Sequence, residues 1–498
     1  MTLARTRDRR WLALAALCTG MLMIILDQTI VNVALPAIQA DLGFTQSGLA
    51  WVVNAYLIAF GGLLLLAGRL GDLVGRKRVL VAGLVVFTAG SLLCGVSNSQ
   101  GMLIVMRFVQ GVGGAMASSL ILGMIVAMFP DPRERARAIG AFSFVAAAGG
   151  AIGLLAGGLL TQAISWHWIF FVNLPIGLAA TALVVRLVEP DRGIGLGEGA
   201  DAAGAALVTA ALMLGVYTVV GLGDAGRGPA QSAALGAVAL ALLAAFVVRQ
   251  ATAPKPLLPL GLFRSRNTSG ANLVQTLMVG GIFGFFFLGT LYLQRVLGYD
   301  PLRIGLAFLP VALAIGGLSI DAAARLNTRF GARPVLLVGL SALLAGLLWF
   351  GRAPLEARYV ADLLPVMLLA GVGGGLSFPA LMTLAMADAA PSDAGLASGL
   401  VSTTAQAGGA LGLAVLATLA TARTERLLAE GVSSAAALAG GYQLAFAASA
   451  GLVAAALVLA AVALRPAARA CGRPVVADGA AAVAEGAAGA DPLCSEAA

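Results

Sequence analysis

The sequence predicts an all-α polytopic membrane protein: two six-helix bundles related as parallel repeats, with two further helices between them, fourteen crossings in all. Of its 498 residues 60% are apolar and 11% charged, against about 25% charged in a soluble domain. The charges gather between apolar runs of about 18 residues or more, the length a spanning helix needs. An internal repeat supplies the third observation. Arg69-Leu70 through Gly83-Leu84 recurs 256 residues later as Arg325-Leu326 through Gly339-Leu340, with seven of sixteen positions identical. A fainter echo, Leu42-Gly43-Phe44 against Leu297-Gly298-Tyr299, precedes it. Both copies run in the same sense across the membrane, so their axis lies along the membrane normal.

Taken in order, the apolar runs begin near Leu12, Gly48, Val79, Met102, Arg137, Trp166, Asp201, Ser232, Thr268, Arg303, Arg333, Tyr359, Leu396 and Tyr442. Lys and Arg beside helix ends are retained on the cytoplasmic side. With the N-terminus inside, 23 of the 31 bases fall in inside segments, seven outside and Arg107 within a helix; both termini are then cytoplasmic. The inside loop around Asp388 and Asp393 carries no base and is the exception. The expected parts are a cytoplasmic N-tail (1–11), a first bundle (12–188), the two additional helices (189–250), a cytoplasmic linker (251–267), a second bundle (268–464) and a disordered cytoplasmic tail (465–498). The additional pair has almost no polar residue in its spans and is expected to face lipid or brace the halves. Arg5, Arg7, Arg9 and Arg10 precede a first run too long for a signal peptide, so that run is read as an anchor. The excess of Ala, Gly and Arg, with Lys only at Lys77 and Lys255, points to a bacterial source.

The first run contains Asp27, Gln28 and Asn32. An aspartate near a spanning helix's centre costs about 2.5–3.5 kcal/mol on insertion scales, so it marks function and faces protein or water. Gln28 and Asn32 stack one turn apart with Asp27 about 100° away, one polar arc expected to line a cavity. In the fourth run, Leu103-x-x-x-Arg107-x-x-Gln110-Gly111-x-Gly113-Gly114-Ala115 places Arg107, Gln110, Gly111 and Gly114 on one face. Arg107 lies about five residues inside its helix's outer end and Asp27 about eight, within roughly one turn of each other. A direct or water-bridged pair is expected, either a static lock between helices one and four or a moving partnership. Burial favours a neutral acid and a nearby guanidinium an ionised one, so a moving neighbour alters proton affinity. Other cavity candidates are Gln110, Asn54 and Tyr56, Asn272 and Gln275, Tyr292 and Gln294, Thr403 and Gln406, each able instead to bond a neighbouring helix. The run Phe283 to Phe287 is expected to face lipid in part. The sole histidine, His167, stands between Trp166 and Trp168 and is read as an interfacial anchor.

The loop Gly68-x-Leu70-Gly71-Asp72-x-x-Gly75-Arg76-Lys77-Arg78 resembles the signature loop of the major facilitator superfamily. The resemblance implies a latch between the halves built from Asp72, Arg76 and Arg78. The Arg107 segment is similar to that family's fourth-helix motif, which implies a part for the arginine in proton transfer. Gly149-x-x-x-Gly153-Leu154-x-x-Gly157-Gly158 resembles the fifth-helix signature of the family's antiporters. That signature has proline where this chain has Leu154, so a kink is lost while close packing through small residues is kept. Asp27-x-Thr29-Ile30-Val31-Asn32-Val33-Ala34-Leu35-Pro36, Trp166-His167-Trp168-Ile169-Phe170 with Asn173-x-Pro175-x-Gly177, and Ala394-Gly395-x-Ala397-Ser398-Gly399 with Gln406-x-Gly408-Gly409-x-x-Gly412 are similar to the fourteen-helix drug:proton antiporters. This likeness covers about Leu12 to Leu464.

The resemblance implies the major facilitator fold, a bacterial plasma-membrane location and export of lipophilic or cationic drugs or antibiotics in exchange for protons by alternating access. Asp27 and Arg107 would then handle the proton, with the substrate at the repeat interface. A proton symporter or uniporter for a small metabolite is the alternative that Leu154 keeps open. A membrane sensor or embedded enzyme is the non-transporter alternative, for which the sequence offers no output domain, nucleophile or metal cluster. No cofactor is expected: there is no G-x-x-x-x-G-K phosphate loop, and energy would come from the proton gradient. No metal site or disulfide framework is expected either, with Cys18 and Cys94 in apolar runs and Cys471 and Cys494 in the tail. The net charge of +8 sits in short loops, which excludes the basic face a nucleic-acid partner needs. The expected partners are the small-molecule substrate, protons and the lipid bilayer, and the expected working unit is a monomer.

Overall fold

The computed structural model describes residues 2–191, 193, 195, 201–223, 228–254, 256, 257, 261, 263, 265–318, 322–386 and 394–464. The loop at Asp388 and Asp393 and the tail from 465 onward lie outside them. The helices are α1 (Thr2–Leu42), α2 (Gln46–Val74), α3 (Arg76–Gly95), α4 (Gln100–Met128), α5 (Pro132–Ala163), α6 (Trp168–Phe171), α7 (Asn173–Leu187), α8 (Ala202–Val220), α9 (Pro229–Thr252), α10 (Arg266–Arg295), α11 (Pro301–Gly317), α12 (Ala323–Phe330), α13 (Ala332–Phe350), α14 (Leu364–Met386), α15 (Ala394–Ala429) and α16 (Ser434–Ala463). Among the described residues twelve helical stretches are long and apolar enough to cross a bilayer, and Ile152–Ala163 and Pro301–Gly317 are shorter apolar helices. Those two belong to the runs expected near Arg137 and Arg303. The first of them is the C-terminal part of α5, a helix of 32 residues. α1 continues through Pro36 to Leu42, which puts Asp27 nearer the middle of its helix than the expected end at Leu35 implied.

Packing follows the repeat. α3 packs on α4, α1 on α5 and α7, and α2 on α4, just as α13 packs on α14, α10 on α15 and α16, and α11 on α14. Two seams join the halves, α2 with α15 and α5 with α11, and the repeat exchanges one for the other. Positive-φ glycines match in pairs, Gly43 (69°) with Gly298 (68°) and Gly75 (113°) with Gly331 (89°). Only glycine adopts such backbone without strain.

The end of the molecule bearing the α2–α3 loop, here termed the basic end, carries a duplicated tie. A helix C-terminus leaves carbonyls unpaired. Lys77 Nζ donates to Val185 O (2.8 Å) and Val188 O (2.6 Å) at the end of α7, and its repeat mate Arg333 donates to Ala461 O at the end of α16. Arg9 Nη2 donates to Arg186 O (3.4 Å) and Arg266 Nη2 to Val462 O (2.9 Å). The first, third and last helices of each half are thereby joined. In the first half Asp191 also accepts the backbone N–H groups of Arg76 (2.7 Å) and Lys77 (3.0 Å). Partial burial pushes its pKa up, but these N–H groups and the Arg76 charge outweigh that and hold it below the usual carboxylate range.

At the far end the halves touch through Arg295, which donates to Gln39 Oε1, and through the Leu302 N–H, which donates to Gln162 Oε1 at 3.3 Å. α10 packs on α14, α15 and α16 within the second half. Phe285 and Phe287 are buried, with Phe285 5.7 Å from Phe308 and 5.6 Å from Phe350 between ring centroids. Phe283 and Phe286 of the same run are only half-buried.

α8 and α9 form a hairpin, and α8 lies over the α2–α15 seam. The Thr418 hydroxyl donates to Val219 O at 3.2 Å, and Trp51 and Tyr217 rings meet at 6.5 Å. The expected bracing role therefore falls to α8, while α9 is largely exposed. Asp201 caps α8 through the Gly204 N–H (2.9 Å) and accepts from Arg249 Nε (2.5 Å) and Gln250 Nε2 (2.8 Å) at the end of α9. Burial raises its pKa, yet these partners together hold it below the usual range. A depressed acid contributes stability above its unfolded value of about 3.9, and that stability fades as pH falls through the folded value. Asp201→Asn keeps the cap and removes the charge, so a loss of about 1–2 kcal/mol is expected at pH 7. The gap between the two melting curves should narrow in acid; a gap independent of pH would contradict this.

Candidate functional site

Asp27 on α1 is fully buried, and Arg107 on α4 is 1% exposed. Arg107 Nη1 donates to Asp27 Oδ2 at 2.6 Å and to Gln110 Oε1 at 2.7 Å. Gln110 Nε2 donates to Asp27 Oδ1 at 2.7 Å, and Asn173 Nδ2, from the start of α7, reaches the same oxygen at 3.0 Å. Ser91 Oγ on α3 accepts from Asn173 (2.9 Å) and Gln110 (3.1 Å) and donates to Phe170 O (3.0 Å). Arg107 is further fixed by Nε donating to Val52 O at 2.9 Å and by the Tyr56 ring 4.5 Å below its guanidinium. The carboxylate thus has three donors and an immediate countercharge, the conditions under which a buried charge is tolerated.

Glycines make this density possible. A side chain at Gly111 would meet Tyr56 O at 2.5 Å, and one at Gly114 the Tyr56 hydroxyl at 2.9 Å, so α4 lies directly on α2. Gly149 packs α5 against Ile25, and Gly153 and Gly157 press it onto Leu26 O and Ile30 O of α1. Gly158 faces the other half, where a Cβ would stand 2.6 Å from Pro301 O on α11. Leu154 takes part in the same seam, its carbonyl 2.5 Å from where a Cβ of Gly305 would be.

The structure sorts the other candidates. Gln28 Nε2 donates to the Tyr56 hydroxyl at 3.3 Å, and Asn32 Nδ2 to Gln28 O at 3.0 Å. Asn54 on α2 is fully buried with neither amide atom partnered among the described residues. On α10, Asn272 donates to Thr268 O and accepts from Thr404, while Gln275 Oε1 is buried and unpartnered among the described residues. Gln406 packs against Gly61 at the α2–α15 seam, and the nearby Thr403 hydroxyl is unpartnered. Gln110 belongs to the charge network and lines no open space, because its amide bridges Asp27 and Arg107. Tyr292 lies in an aromatic core with Phe350, Tyr442 and Phe446 and donates to Pro354 O at 2.6 Å.

In the loop, Asp72 pairs with Arg76 at 3.1 Å, both half-exposed and both on the first half. Gly75 makes the positive-φ turn, Gly68 leaves α2 within reach of Ser119, and Arg78 is exposed. His167 stacks on Trp166 at 3.8 Å, whose Nε1 donates to Asp41 at 2.9 Å. Ser91 was not singled out from the sequence, and Asn173 entered only as part of the segment similar to the fourteen-helix antiporters, with no role in the site. Asn173, an amide at the start of an apolar run, carried a signal; a serine within a small-residue stretch carried none. A crevice of about 420 Å³ at the basic end, lined by Arg9, Arg10, Arg76, Met124, Met128 and Asp191, does not reach Asp27, so the pair is enclosed in packed protein.

The family model described as Major Facilitator Superfamily matches residues 17–413. The chain belongs to that superfamily. It is 38% identical over 457 residues to the puromycin resistance protein pur8 of Streptomyces alboniger, covering 91% of this chain and 90% of that one. It is 38% identical over 409 residues to the cephamycin export protein CmcT of Amycolatopsis lactamdurans (82% and 84%), and 34% identical over 419 residues to the tetracenomycin C resistance and export protein of Streptomyces glaucescens (84% and 77%). The crystal structure of a bacterial homologue of the human lysosomal transporter Spinster, inward-facing and unoccupied, shares the fold with a TM-score of 0.65 at 16% identity, over 91% of this chain and 97% of that one. As a member of this superfamily the chain is a multi-pass membrane protein of a transporter family.

Proposed function

We propose that this protein exports a lipophilic or cationic compound of antibiotic type in exchange for protons, by alternating access. The observation that carries the reading is the enclosed Asp27–Arg107 pair, a titratable acid and its countercharge held inside a transporter half. Relatives named for puromycin resistance, cephamycin export and tetracenomycin C export support the substrate class. A proton reaching Asp27 from outside releases Arg107, and its loss to the inside re-forms the pair. Substrate would contact the unpartnered polar atoms of Asn54, Gln275 and Thr403 on α2, α10 and α15, elements that form or adjoin the seam between the halves. The reading includes fourteen crossings, with α5 and the α11–α12 stretch completing the count, both termini cytoplasmic, a monomer, and no cofactor beyond the proton gradient.

In a host lacking other efflux pumps, expression should lower the accumulation of at least one compound in an antibiotic panel, and collapsing the pH gradient should abolish the effect. In everted vesicles with an acidified lumen, adding that compound should alkalinise the lumen. Export that persists without a pH gradient would refute the exchange.

A further inference from the structure

We propose that Asn173 is a positioning residue that serves both protonation states of Asp27 by turning its amide over; this rests on the proton-coupling reading above. Asn173 Nδ2 donates to Asp27 Oδ1 at 3.0 Å and Ser91 Oγ at 2.9 Å, while Asn173 Oδ1 is buried without a partner among the described residues. A spare acceptor therefore sits on the same amide that now donates to the carboxylate. Buried polar atoms are nearly always satisfied, and an exception calls for a reason.

The chemistry of the proton supplies one. As a carboxylate, Asp27 only accepts; once protonated it becomes a donor ringed by donors. Arg107 stays charged at any pH a protein meets. The Gln110 amide is pinned because its Oε1 receives Arg107 Nη1 at 2.7 Å. Ser91 gives its own hydrogen to Phe170 O at 3.0 Å. Asn173 alone carries no bond on its amide oxygen: a half-turn exchanges Nδ2 for Oδ1, which accepts the new Asp27 O–H, while the Ser91 hydroxyl turns its hydrogen from Phe170 O to the same Oδ1. No bond breaks except hydrogen bonds, and the proton remains on Asp27. The other ionisable groups facing the site are Tyr56 from α2, whose hydroxyl Gln28 engages at 3.3 Å, and Cys94 from α3, whose Sγ lies 3.8 Å from Gln110 Oε1. α6 presents the Phe170 ring, and α7 presents Asn173.

The test is infrared difference spectroscopy on the reconstituted full chain between neutral and acid pH. The wild type should gain a protonated-carboxyl C=O band that Asp27→Asn removes. In Asn173→Val the acid has no acceptor, so this band should shift to higher frequency. In Asn173→Thr, of the same size, the hydroxyl both donates and accepts, and the band should stay at its wild-type position. A side-chain amide band, assigned by its loss in Asn173→Thr, should also shift in the wild type on acidification, a measurement that survives if Asn173→Val does not fold. An unshifted carboxyl band in Asn173→Val, or a pH-invariant amide band, overturns the proposal and leaves the coupling reading standing. A wild type with no Asp27-dependent band overturns the coupling reading itself.

Discussion

Arg107→Met is expected to destabilise the folded protein by about 3–5 kcal/mol, the usual cost of deleting one partner of a buried ion pair. The shape of the site is roughly kept, so the loss is electrostatic: Asp27 would retain Gln110 and Asn173 as donors with no countercharge. Asp27→Asn should be milder for folding, because Arg107 keeps Gln110 Oε1, Val52 O and the Tyr56 ring. Replacing both charges together often costs little, so the Asp27→Asn/Arg107→Met double variant should regain most of the lost stability. All three should fail in proton-driven export. Thermal melting in detergent beside a drug-accumulation assay separates the two effects. A double variant that melts no higher than Arg107→Met would show that the loss does not come from an uncompensated charge on Asp27, and a fully active Asp27→Asn would remove it from the proton path.

Gly158→Val should open the far end. A Cβ there would lie 2.6 Å from the backbone oxygen of Pro301, which cannot swing aside as a side chain can. Overpacking of this kind costs about 1–3 kcal/mol, and only states with the α5–α11 seam closed bear that cost. An equilibrium displaced by that energy moves about 5- to 150-fold. Labelling of a cysteine at Gln162 by a membrane-impermeant maleimide should rise several-fold, and export should fall with it. Gly123→Val, on α4 where nothing lies within 4 Å, is the matched control and should change neither. Unaltered labelling in Gly158→Val would mean that this seam does not close the far side.

Much of this was legible in the sequence because membrane chains advertise their exceptions. A lone acid and a lone arginine in apolar runs at similar depth are rare enough that pairing them needed only helix geometry, and they meet at 2.6 Å. The repeat was equally readable, since the turns it predicts need positive φ and use glycine in both copies. Other features depend on which side a helix presents, and composition hides that. Tyr292 and Phe285 looked available for a cavity or for lipid, but the parts of α10 that carry them are packed against other helices. The ties from Lys77 and Arg333 to carbonyls more than a hundred residues away read in the sequence only as charges that orient loops. Asp201 meets Arg249 and Gln250 because consecutive antiparallel helices bring the start of one beside the end of the next, a pairing no short motif encodes.

The duplicated ties at the basic end have a mechanical consequence. A terminal helix whose last carbonyls are gripped by cations from two neighbours resists sliding along its own axis, because any slip breaks charge-assisted bonds. Shear within a bundle is therefore penalised twice over, once in each copy. In a transport cycle displacement would then fall to the glycine-lined boundaries, where contact is chiefly van der Waals and can be re-made at small cost, and each bundle would turn as a hooped barrel turns, whole.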